Sequence, residues 1–484
     1  MRKSIYLQTL TALVLLSLFL GACAPAATPA PTTEPVVDEA TSAPTEAPTE
    51  APTTAATGDP VKIRWFVGLG TGSNPEQIEP EKAIVAEFNS THTDIQIELE
   101  IVAVKTAKDV LSTQIASGNP PDIVGPVGVA GSNTFAGSYL DLAPYIAKTN
   151  YDLTQFDDEA VGFYNVAGEG QIGLPFGAYP AFLFYNRDIF DEAGLAYPPH
   201  KVGEKYKMPD GTEKDWNIDT MSEVAMLLTL DKGGMNATEA GFDPKNIVQF
   251  GYQGQWLDLR GMASLFGAAS FYDGTSKAQI PDEWRAAWKW YYDGVWNKHF
   301  IPNNAYSQSE YYGKANEFNS GHLAMAHTHL WYTCCVDGVK NWDIAVNPSY
   351  NGKTTSNFHV DTFRIMKATK NPDQAFEVLT YLLGPASSKL LALYGSMPAR
   401  KADQAAFFAG LDKKYTQGVD WQVAIDMMKF PDVPSHEGYM PNYQKAYERA
   451  TALQTLMYST EGLDIDAELT KLQNDLQAIF DEKK

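Results

Sequence analysis

The chain has 484 residues, of which 44% are hydrophobic, and a formal net charge of −22 at pH 7. This charge makes a nucleic-acid backbone a poor partner, because binding phosphates depends on a basic surface. It suits a protein outside the cytoplasm that takes an uncharged or cationic ligand. Roughly 420 residues follow the N-terminal segments, more than one hydrophobic core usually holds, so we expect two lobes.

Residues 1–22 have the pattern of a secretory signal. Two basic residues precede the apolar run Leu7–Leu20, which is shorter than the ~20 residues of a membrane span. The motif Leu20-Gly21-Ala22-Cys23 resembles the lipobox of bacterial lipoproteins, in which the cysteine carries the lipid. An ordinary signal peptide with an incidental cysteine is the alternative. We expect residues 1–22 to be a signal peptide and Cys23 to be lipidated, with two or more acyl chains for stable anchoring.

The segment 23–59 is predicted to be the lipid attachment site followed by a disordered tether. Residues 24–59 contain no lysine or arginine and are dominated by alanine, proline and threonine. Such a composition has too few large apolar groups to offset the entropy lost on ordering. As a coil this segment reaches on the order of 35 Å, and as stretched polyproline roughly 110 Å.

The body opens with alternating strand and helix patterns. The run "VKIRWFVG" predicts a strand from Val61, and Asn74-Pro75 predicts the start of a helix with proline in its first turn. Strict alternation predicts a strand over Ile95–Ile101, followed by a helix around Ala107–Ser117 and a short strand in "PPDIVGP". This order predicts an α/β lobe with a largely parallel sheet.

The middle of the chain contains a β-rich run, "LPFGAYPAFLFYNRDIF", with Pro175, Gly177 and Pro180 inside it. Because prolines do not fit a central ladder, we expect the chain to bend here, as a crossover between lobes would require. Thr220–Glu223 has the spacing of a capping box. Further helices bury apolar residues at helical spacing, namely Phe376, Leu379, Leu382 and Leu383 after Asn371-Pro372, and Leu469, Leu472, Leu476 and Ile479 near the C-terminus.

In this order the segments resemble the extracellular solute-binding proteins of ABC importers, the sugar-binding family that includes the maltose-binding protein. The resemblance extends from about Val61 to Phe480 and rests on motifs that are strong together rather than singly. These motifs are "GNPPDIV" (118–124), "LPFGAYPAFLFYNRDIFDEAGL" (174–195), "SGHLAMAHTHLW" (320–331), the return crossover at 342–383 and "GSMPARK" (395–401).

The resemblance implies a two-lobed α/β protein of the periplasmic-binding-protein type II fold, with mostly parallel sheets and three interlobe crossovers. Lobe I is expected over 60–178 and 353–396, and lobe II over 179–352 and 397–484. The implied function is capture of a sugar or oligosaccharide by lobe closure and its delivery to the transmembrane subunits of an ABC permease. We expect a monomer without cofactor or catalytic activity, lipid-anchored outside the cytoplasm.

Candidate ligand contacts follow from matching family positions and from residue chemistry. Trp331 matches the ligand-facing aromatic of the family, and Tyr179 lies in the first crossover. His359 and Asp361 share one face of the return strand by alternation, where a carboxylate could accept sugar hydroxyls. The full set of predicted ligand-binding residues is Gly70, Thr71, Gly128, Tyr179, Gln255, Trp256, Trp331, His359, Asp361 and Tyr443.

Two stretches depart from the family pattern. His359-Val360-Asp361 stands where a Gly-Gly pair is usual, and His327-Thr328-His329 replaces small residues. The two histidines could serve as metal ligands, although two alone make an incomplete site. Cys334 and Cys335 can pair only through a strained ring, so the sequence favours two free buried thiols over a vicinal disulfide.

Other functions remain open at this stage. A cell-anchored carbohydrate-active enzyme would need two carboxylates across a cleft, and no spacing singles out such a pair. The solute could also be a polyol, a sugar phosphate or a metal. A sensory or adhesive lipoprotein would bind its ligand without transport.

Overall fold

The computed structural model describes residues 59–257, 259–432 and 440–482. The predicted signal peptide, Cys23 and the tether up to residue 58 therefore lie outside the described residues. Strands occur at β1 (Val61–Val67), β2 (Ile95–Ile101), β3 (Ile123–Val127), β4 (Asn165–Val166), β5 (Gly170–Gln171), β6 (Leu174–Asn186), β7 (Lys205–Lys207), β8 (Glu213–Asp215), β9 (Leu230–Asp231), β10 (Ile247–Gly254), β11 (Leu323–His329), β12 (Trp342–Ala345), β13 (Ser349–Tyr350), β14 (Lys353–Thr354) and β15 (Phe358–Ile365).

Helices surround these strands, and none within the described ranges is long and apolar enough to cross a membrane. They are α1 (Pro75–Thr91), α2 (Val104–Ala116), α3 (Val129–Asn133), α4 (Ala143–Thr149), α5 (Asp158–Gly162), α6 (Arg187–Ala193), α7 (Ile218–Leu227), α8 (Leu259–Ser264), α9 (Asp282–Trp296), α10 (Asn304–Ser307), α11 (Pro372–Leu383), α12 (Ser387–Tyr394), α13 (Lys401–Lys414), α14 (Gln422–Met427), α15 (Tyr443–Ser459) and α16 (Ile465–Phe480), with 3₁₀ helices at Phe318–Ser320 and Leu330–Cys334.

The N-terminal half of the main sheet consists of parallel strands joined by helices, as the sequence predicts. β1 lies between β2 and β3, with Trp65 opposite both Leu99 and Ile123. Helix α1 begins at Pro75 directly after the predicted cap. Because α1 and α2 follow β1 and β2, the connecting loops meet at the carboxyl ends of these strands.

The C-terminal half of the sheet is built on a second parallel pair. β10 and β11 run parallel, with Tyr252 opposite Met325, and β11 pairs antiparallel with the second half of β6. β9 adds antiparallel to β10, and β12 adds antiparallel to β6. The strand order of the main sheet is β2-β1-β3-β15-β6-β11-β10-β9.

β6 and β15 join the two halves. β6 pairs with β15 up to Pro180 and with β11 from Ala181 onward, so the strand changes partner at this point. The predicted interruption of this run is wrong in detail, because Leu174–Asn186 forms one strand despite its prolines. A third segment lies alongside, where Ala178 N donates to Met397 O at 3.0 Å and Ala399 N donates to Phe176 O at 3.0 Å.

The α/β class is thus confirmed, but the sheet is more mixed than the predicted mostly parallel arrangement. β15 pairs antiparallel with both β3 and β6. The reason is geometric: β6 and β15 run between the halves in opposite directions, whereas parallel pairing is retained within each half. The expectation of parallel sheets came from the strand–helix alternation, which carries no information about these crossover strands.

Two buried apolar clusters pack beside the sheet, and the larger one contains residues of both halves. One cluster contains Trp65, Phe363 and Phe376, with α11 burying the four residues predicted from its spacing. The other includes Phe184 and the four predicted residues of α16. Burial of each such side chain contributes roughly 1.5–3 kcal/mol relative to exposure.

One predicted helix start is displaced. Helix α7 begins at Ile218, and the side chain of Asn217 accepts a hydrogen bond from Thr220 N, so Asn217 and not Thr220 is the N-cap. Both residues are of types that cap helices well. The capping-box spacing at Thr220–Glu223 therefore predicts the wrong N-cap residue of the two candidates.

Candidate functional site

The carboxyl ends of the two parallel pairs place four loops around the crossover strands. The loops after β1 and β3 begin at residues 68 and 128, and those after β10 and β11 begin at residues 255 and 330. In open α/β sheets, ligands bind in the crevice outside the carboxyl ends of the strands. Most of the predicted ligand-binding residues belong to these loops or to the crossovers beside them.

Five predicted residues from separate segments, Gly128, Tyr179, Trp331, His359 and Asp361, meet His329 and Ser396 in what we call the central cluster. Tyr179 on β6 lies directly opposite His359 on β15. The ring of Trp331 lies 5.3 Å from that of Tyr179 and 5.5 Å from that of His359, centroid to centroid. His329 stacks on Trp331 at 3.8 Å.

Asp361 supplies a carboxylate to the central cluster. The hydroxyl of Tyr179 donates to Asp361 Oδ2 at 3.4 Å. A Cβ added at Gly128 would lie 3.1 Å from Asp361 Oδ1, so the absence of a side chain at residue 128 leaves room for this carboxylate. Burial raises the pKa of Asp361 to about 6, while His359 and the Tyr179 hydrogen bond oppose the increase. At pH 7 the group is therefore mainly ionised and available as an acceptor.

The third crossover is tied to the same cluster. Tyr179 Oη and Ser396 Oγ share a hydrogen bond, and Ser396 is buried. Two residues earlier, Tyr394 Oη donates to Glu81 Oε1 of α1 at 2.7 Å. Burial raises the pKa of Glu81 to about 7. Sequence reasoning quoted the motif "GSMPARK" but did not single out Ser396, since a lone serine in a loop carries no signal of its own.

Gly70 and Thr71 lie in the loop after β1. Gly70 is exposed, and a Cβ added there would meet Pro126 O only at 3.9 Å, leaving open space beside the end of β3. Thr71 Oγ1 accepts from Gln77 Nε2 at 3.3 Å. These two residues thus border the crevice on the β1–β3 side, next to the strand that leads to Gly128.

Gln255 and Trp256 line a cavity of about 380 Å³, which we call the side cavity. The amide of the buried Gln255 is engaged at both ends, donating to Asn316 Oδ1 at 3.0 Å and accepting from Phe318 N at 2.9 Å. Gln255 therefore shapes the wall. Trp256 is 42% exposed, with φ of 56°, and its Nε1 donates to Ala315 O at 2.6 Å.

The side cavity adjoins the central cluster along the chain and across the sheet. Trp256 packs edge-on against Tyr332, the residue after Trp331, with centroids 5.2 Å apart. Gln255 N donates to His327 O at 3.0 Å, as expected for the ends of adjacent parallel strands. Both features therefore lie at the carboxyl edge of β10 and β11.

Tyr443 does not join either group. It is buried at the start of α15, and its ring lies 5.8 Å from that of Tyr447. Tyr443 lines a different cavity, of about 310 Å³, together with Asn133, Thr134 and Lys445. The structure thus separates Tyr443 from the other predicted contacts, because α15 runs past the side cavity with its C-terminal part instead.

A buried ion pair holds the wall of the side cavity to β15. Arg260 Nε on α8 lies 3.1 Å from Asp432 Oδ2, and Arg260 Nη2 donates to Phe358 O at 3.2 Å. Asp432 also accepts from Phe358 N at 3.2 Å and from Asn357 Nδ2 at 3.1 Å. Since Phe358 directly precedes His359, this pair links both parts of the candidate site.

The structure defines the surroundings of the histidine pair, His327 and His329, and of the cysteine pair, Cys334 and Cys335. His327 is fully buried, and burial lowers its pKa to about 3, so it is neutral at physiological pH. Within the described ranges, no group of three residues that could hold a metal ion occurs. Cys334 and Cys335 form a disulfide with a Cα–Cα distance of 3.8 Å, so the expectation of free thiols is wrong. The 3₁₀ turn after β11 brings the two sulfurs together.

Two halves joined by crossover strands, with rings and a carboxylate at the junction, define a solute-binding protein. Residues 72–389 match the model of the bacterial extracellular solute-binding proteins, and the chain belongs to this family. A lipoprotein of Streptomyces antibioticus, named from the 5' region of oleD, is 25% identical over 188 residues, covering 36% of this chain and 41% of that protein. The sn-glycerol-3-phosphate-binding protein UgpB of Agrobacterium fabrum is 28% identical over 156 residues.

The UgpB match covers 30% of this chain and 34% of UgpB, so the chain spans less than half the length of these curated relatives. Solved structures are similar over most of the chain. An ABC substrate-binding protein from Listeria monocytogenes in complex with cycloalternan gives a TM-score of 0.64 at 18% identity, covering 88% of this chain and 100% of that one. The sugar-binding protein MalE of Xanthomonas citri gives 0.66 at 17% identity, covering 87% and 97%. The predicted two-lobed fold is confirmed.

Proposed function

We propose that this solute-binding protein captures a carbohydrate between its lobes and delivers it to the permease of an ABC importer. The observation that carries the proposal is the central cluster, which combines ring faces with a carboxylate at the lobe junction. Sugars have apolar ring faces that stack on aromatic rings, and hydroxyls that bond strongly to charged acceptors. The structural relatives named as sugar-binding or bound to cycloalternan support the same ligand class.

Capture depends on contacts from both lobes at once. We propose lobe I at 60–178 and 353–396 and lobe II at 179–352 and 397–484; the partner change of β6 between Pro180 and Ala181 supports the first boundary. A ligand that contacts Asp361 on one side and Trp331 on the other binds best when the lobes are closed. Because the ligand has a higher affinity for the closed form than for the open form, it shifts the population toward the closed form, which the permease would recognise.

The location is outside the cytoplasm, as the family description states. We further propose that residues 1–22 are removed, that Cys23 carries the lipid and that residues 24–59 tether a monomeric body to the membrane. Tethering raises the effective concentration of the binding protein at the permease. The similarity to a Streptomyces lipoprotein supports this proposal.

A sugar phosphate or polyol phosphate is the second candidate ligand, because two relatives are named for binding sn-glycerol 3-phosphate. The anionic Asp361 in the central cluster would repel a phosphate placed beside it. We therefore favour an uncharged carbohydrate.

A thermal-shift screen of the purified protein tests the proposal. Monosaccharides, oligosaccharides, polyols, their phosphates, peptides and metal salts are added in turn, and the supernatants are checked for products by chromatography. At a hundredfold excess over Kd, a bound ligand stabilises the fold by about 2.7 kcal/mol, which raises the Tm measurably. We expect an upward shift with at least one carbohydrate and no conversion of it. A shift with peptides or metals alone, or turnover of the sugar, would refute the proposal.

A further inference from the structure

Helix α1 buries an acidic residue within its apolar face. Glu81 is fully buried and lies on the same side of α1 as Ile84, Val85 and Phe88. A carboxylate removed from water costs free energy unless its oxygens are paired. Glu81 Oε1 accepts one hydrogen bond, whereas Oε2 is buried without a partner among the described residues. Packing alone therefore gives no reason for an acid at this position.

Glu81 lies beneath the loop after β1, which borders the crevice. A Cβ added at Gly72, where φ is 85°, would lie 2.6 Å from Glu81 Oε1, so the carboxylate occupies the space beside this glycine. One turn earlier on α1, Gln77 Oε1 accepts from Gly72 N at 3.0 Å, and Gln77 Nε2 donates to Thr71 Oγ1 at 3.3 Å. Two side chains of α1 thus support the loop that contains Gly70 and Thr71.

Glu81 also contacts the segment that leads into the third crossover. Its Oε1 accepts from Tyr394 Oη at 2.7 Å, and Tyr394 is the last residue of α12. Two residues later, Ser396 shares a hydrogen bond with Tyr179. Residues 394–396 therefore connect Glu81 to the central cluster. A displacement of the Tyr394 ring would move the point at which the third crossover leaves α12, and Ser396 with it.

The charge of Glu81 is not balanced by an ion pair within the described ranges. Tyr394 is the titratable group that contacts it, while Tyr381 on α11 donates to Ile84 O and the loop 68–74 carries no titratable residue. Burial raises the pKa of Glu81 to about 7, and the hydrogen bond from Tyr394 opposes the increase. Glu81 therefore changes its charge near neutral pH. The other charged side chains of α1, β1, β2, α11 and α12 are exposed, as are Glu76 and Glu377, or pair elsewhere: Lys82 with Glu79, Lys62 with Glu98, Arg64 with Glu100, Lys389 with Glu87 and Asp373 with Lys148.

From this geometry we infer that Glu81 is a positioning residue of the ligand site, which ties the loop after β1 to the third crossover and makes carbohydrate capture dependent on pH. The inference rests on the proposed function, since Glu81 acts through the two segments beside the ligand. An ionised carboxylate accepts the Tyr394 hydrogen bond more strongly than the neutral acid does. The ligand-competent form, in which this bond is made, therefore holds the Glu81 proton less tightly than a form in which the bond is broken. By linkage, the affinity is highest above pH 7 and falls as the pH is lowered through 7.

Hydrogen exchange of the purified protein without added sugar tests the link between the two segments. After correction for intrinsic exchange, we expect the amides within 70–74 and 395–399 to be about three- to fivefold more protected at pH 8 than at pH 6. Glu81→Gln should abolish this difference, and so should Tyr394→Phe, which removes the same hydrogen bond from the other partner. Glu87→Gln is the matched control, because Glu87 also joins α1 to α12, through an exposed pair with Lys389, and it should behave like the wild type.

Titration calorimetry with glucose, maltose and trehalose at pH 6 and pH 8 tests the consequence for capture. For the sugar that binds most tightly, we expect the gain in affinity from pH 6 to pH 8 to be about three- to fivefold larger in the wild type than in Glu81→Gln. Asp361, with a pKa of about 6, contributes a pH dependence of its own, which both proteins share. The difference between them therefore reports on Glu81 alone.

The outcomes separate the inference from the proposed function. Equal protection at the two pH values in the wild type refutes the inference, and so does loss of the difference in Glu87→Gln. If the affinity of Glu81→Gln changes with pH as in the wild type, Glu81 does not position the ligand site, and capture of the sugar stands. If no carbohydrate of the thermal-shift screen binds while the Glu81-dependent protection is present, the proposed function fails and the link between the two segments stands.

Discussion

The central cluster and the side cavity lie side by side, but their polar side chains are paired in the first and partly unpaired in the second. In the central cluster, Tyr179, Trp331 and His359 pack against one another, and Asp361 already receives a hydrogen bond. In the side cavity, the lining side chains of Gln454 and Tyr458 carry buried polar atoms, Oε1 and Oη, that have no hydrogen-bond partner. The first region offers preformed ring faces and one charge, whereas the wall of the second contains polar atoms that the protein leaves unpaired. Different residues can therefore provide the affinity for the ligand and the selection among related ligands.

The difference follows from where the residues come from. The crossover strands β6 and β15 supply much of the central cluster, and their ladder holds its side chains in register. The side cavity collects residues from the end of β10, from the segment 304–317 and from α15. The side cavity lies between these segments.

The largest expected effect concerns the ion pair that links the two regions. Arg260→Met leaves the buried Asp432 without its cation, and we expect the free energy of unfolding to fall by about 3–5 kcal/mol. Urea denaturation followed by tryptophan fluorescence measures the change. Lys289→Met is the control, because the pair of Lys289 with Asp466 is exposed and should be worth about 1 kcal/mol or less. Equal losses in the two variants would contradict a structural link at Arg260.

The two tryptophans provide a direct comparison of the regions. Trp331→Ala removes the ring at the centre of the central cluster, and we expect the affinity for the best carbohydrate to fall about 100-fold. Trp256→Ala removes a ring that is 42% exposed at the side cavity, so we expect a loss of about tenfold. Titration calorimetry measures both. A greater loss for Trp256→Ala would reverse the roles assigned to the two regions.

The smallest expected effect concerns the pH dependence of stability at Asp361. Its pKa in the folded protein is about 6, above its value of about 3.9 in the unfolded chain. The folded state therefore holds this proton more tightly, and the resulting stabilisation is present below pH 4 and lost as the pH rises through 6. Asp361→Asn removes that loss. The shift of about two pKa units corresponds to at most ~3 kcal/mol, and because solvent screens a partly exposed side chain, we expect the variant to be more stable than the wild type by roughly 1–2 kcal/mol at pH 8 and equally stable near pH 4.

Denaturation at both pH values checks this prediction, with the exposed Asp373→Asn as the control. The same Asp361→Asn variant should bind carbohydrate more weakly at pH 8, because it lacks the ionised acceptor. A variant that is less stable at pH 8 would show that the carboxylate is compensated by the cluster rather than strained by it. Opposite signs for stability and binding are the signature of a group retained for its ligand.

Much of the fold could be predicted because its signals are local. The alternation in Ile95–Ile101 and the helical spacing of Leu469 and Leu472 depend only on neighbouring residues, and both elements form as predicted. The cap of α7 was misplaced because Asn217 and Thr220 compete for one position, and only packing decides between them. The pairing directions of β6 and β15 depend on the crossover geometry, which no local pattern contains.

The same distinction between local sequence signals and long-range packing applies to the candidate site. Tyr179, Trp331 and Asp361 lie in recognisable motifs, and the structure brings them together. Gln454 and Tyr458 are about 200 residues from Gln253 in the chain, and nothing in the pattern of α15 distinguishes them from surface positions. Gln255 was predicted as a contact from its position, but its hydrogen bonds to Asn316 and Phe318 emerge only from the folded loop.

The continuity of β6 has a mechanical consequence. A single strand serves both halves of the sheet, with its partners exchanged between Pro180 and Ala181. Relative rotation of the lobes would twist this strand together with the other two crossing segments, and Tyr179 lies only a residue from the point of exchange. Any such twist displaces the ring of Tyr179, against which a ligand would pack. The hinge between the lobes and part of the ligand site therefore lie in the same stretch of chain.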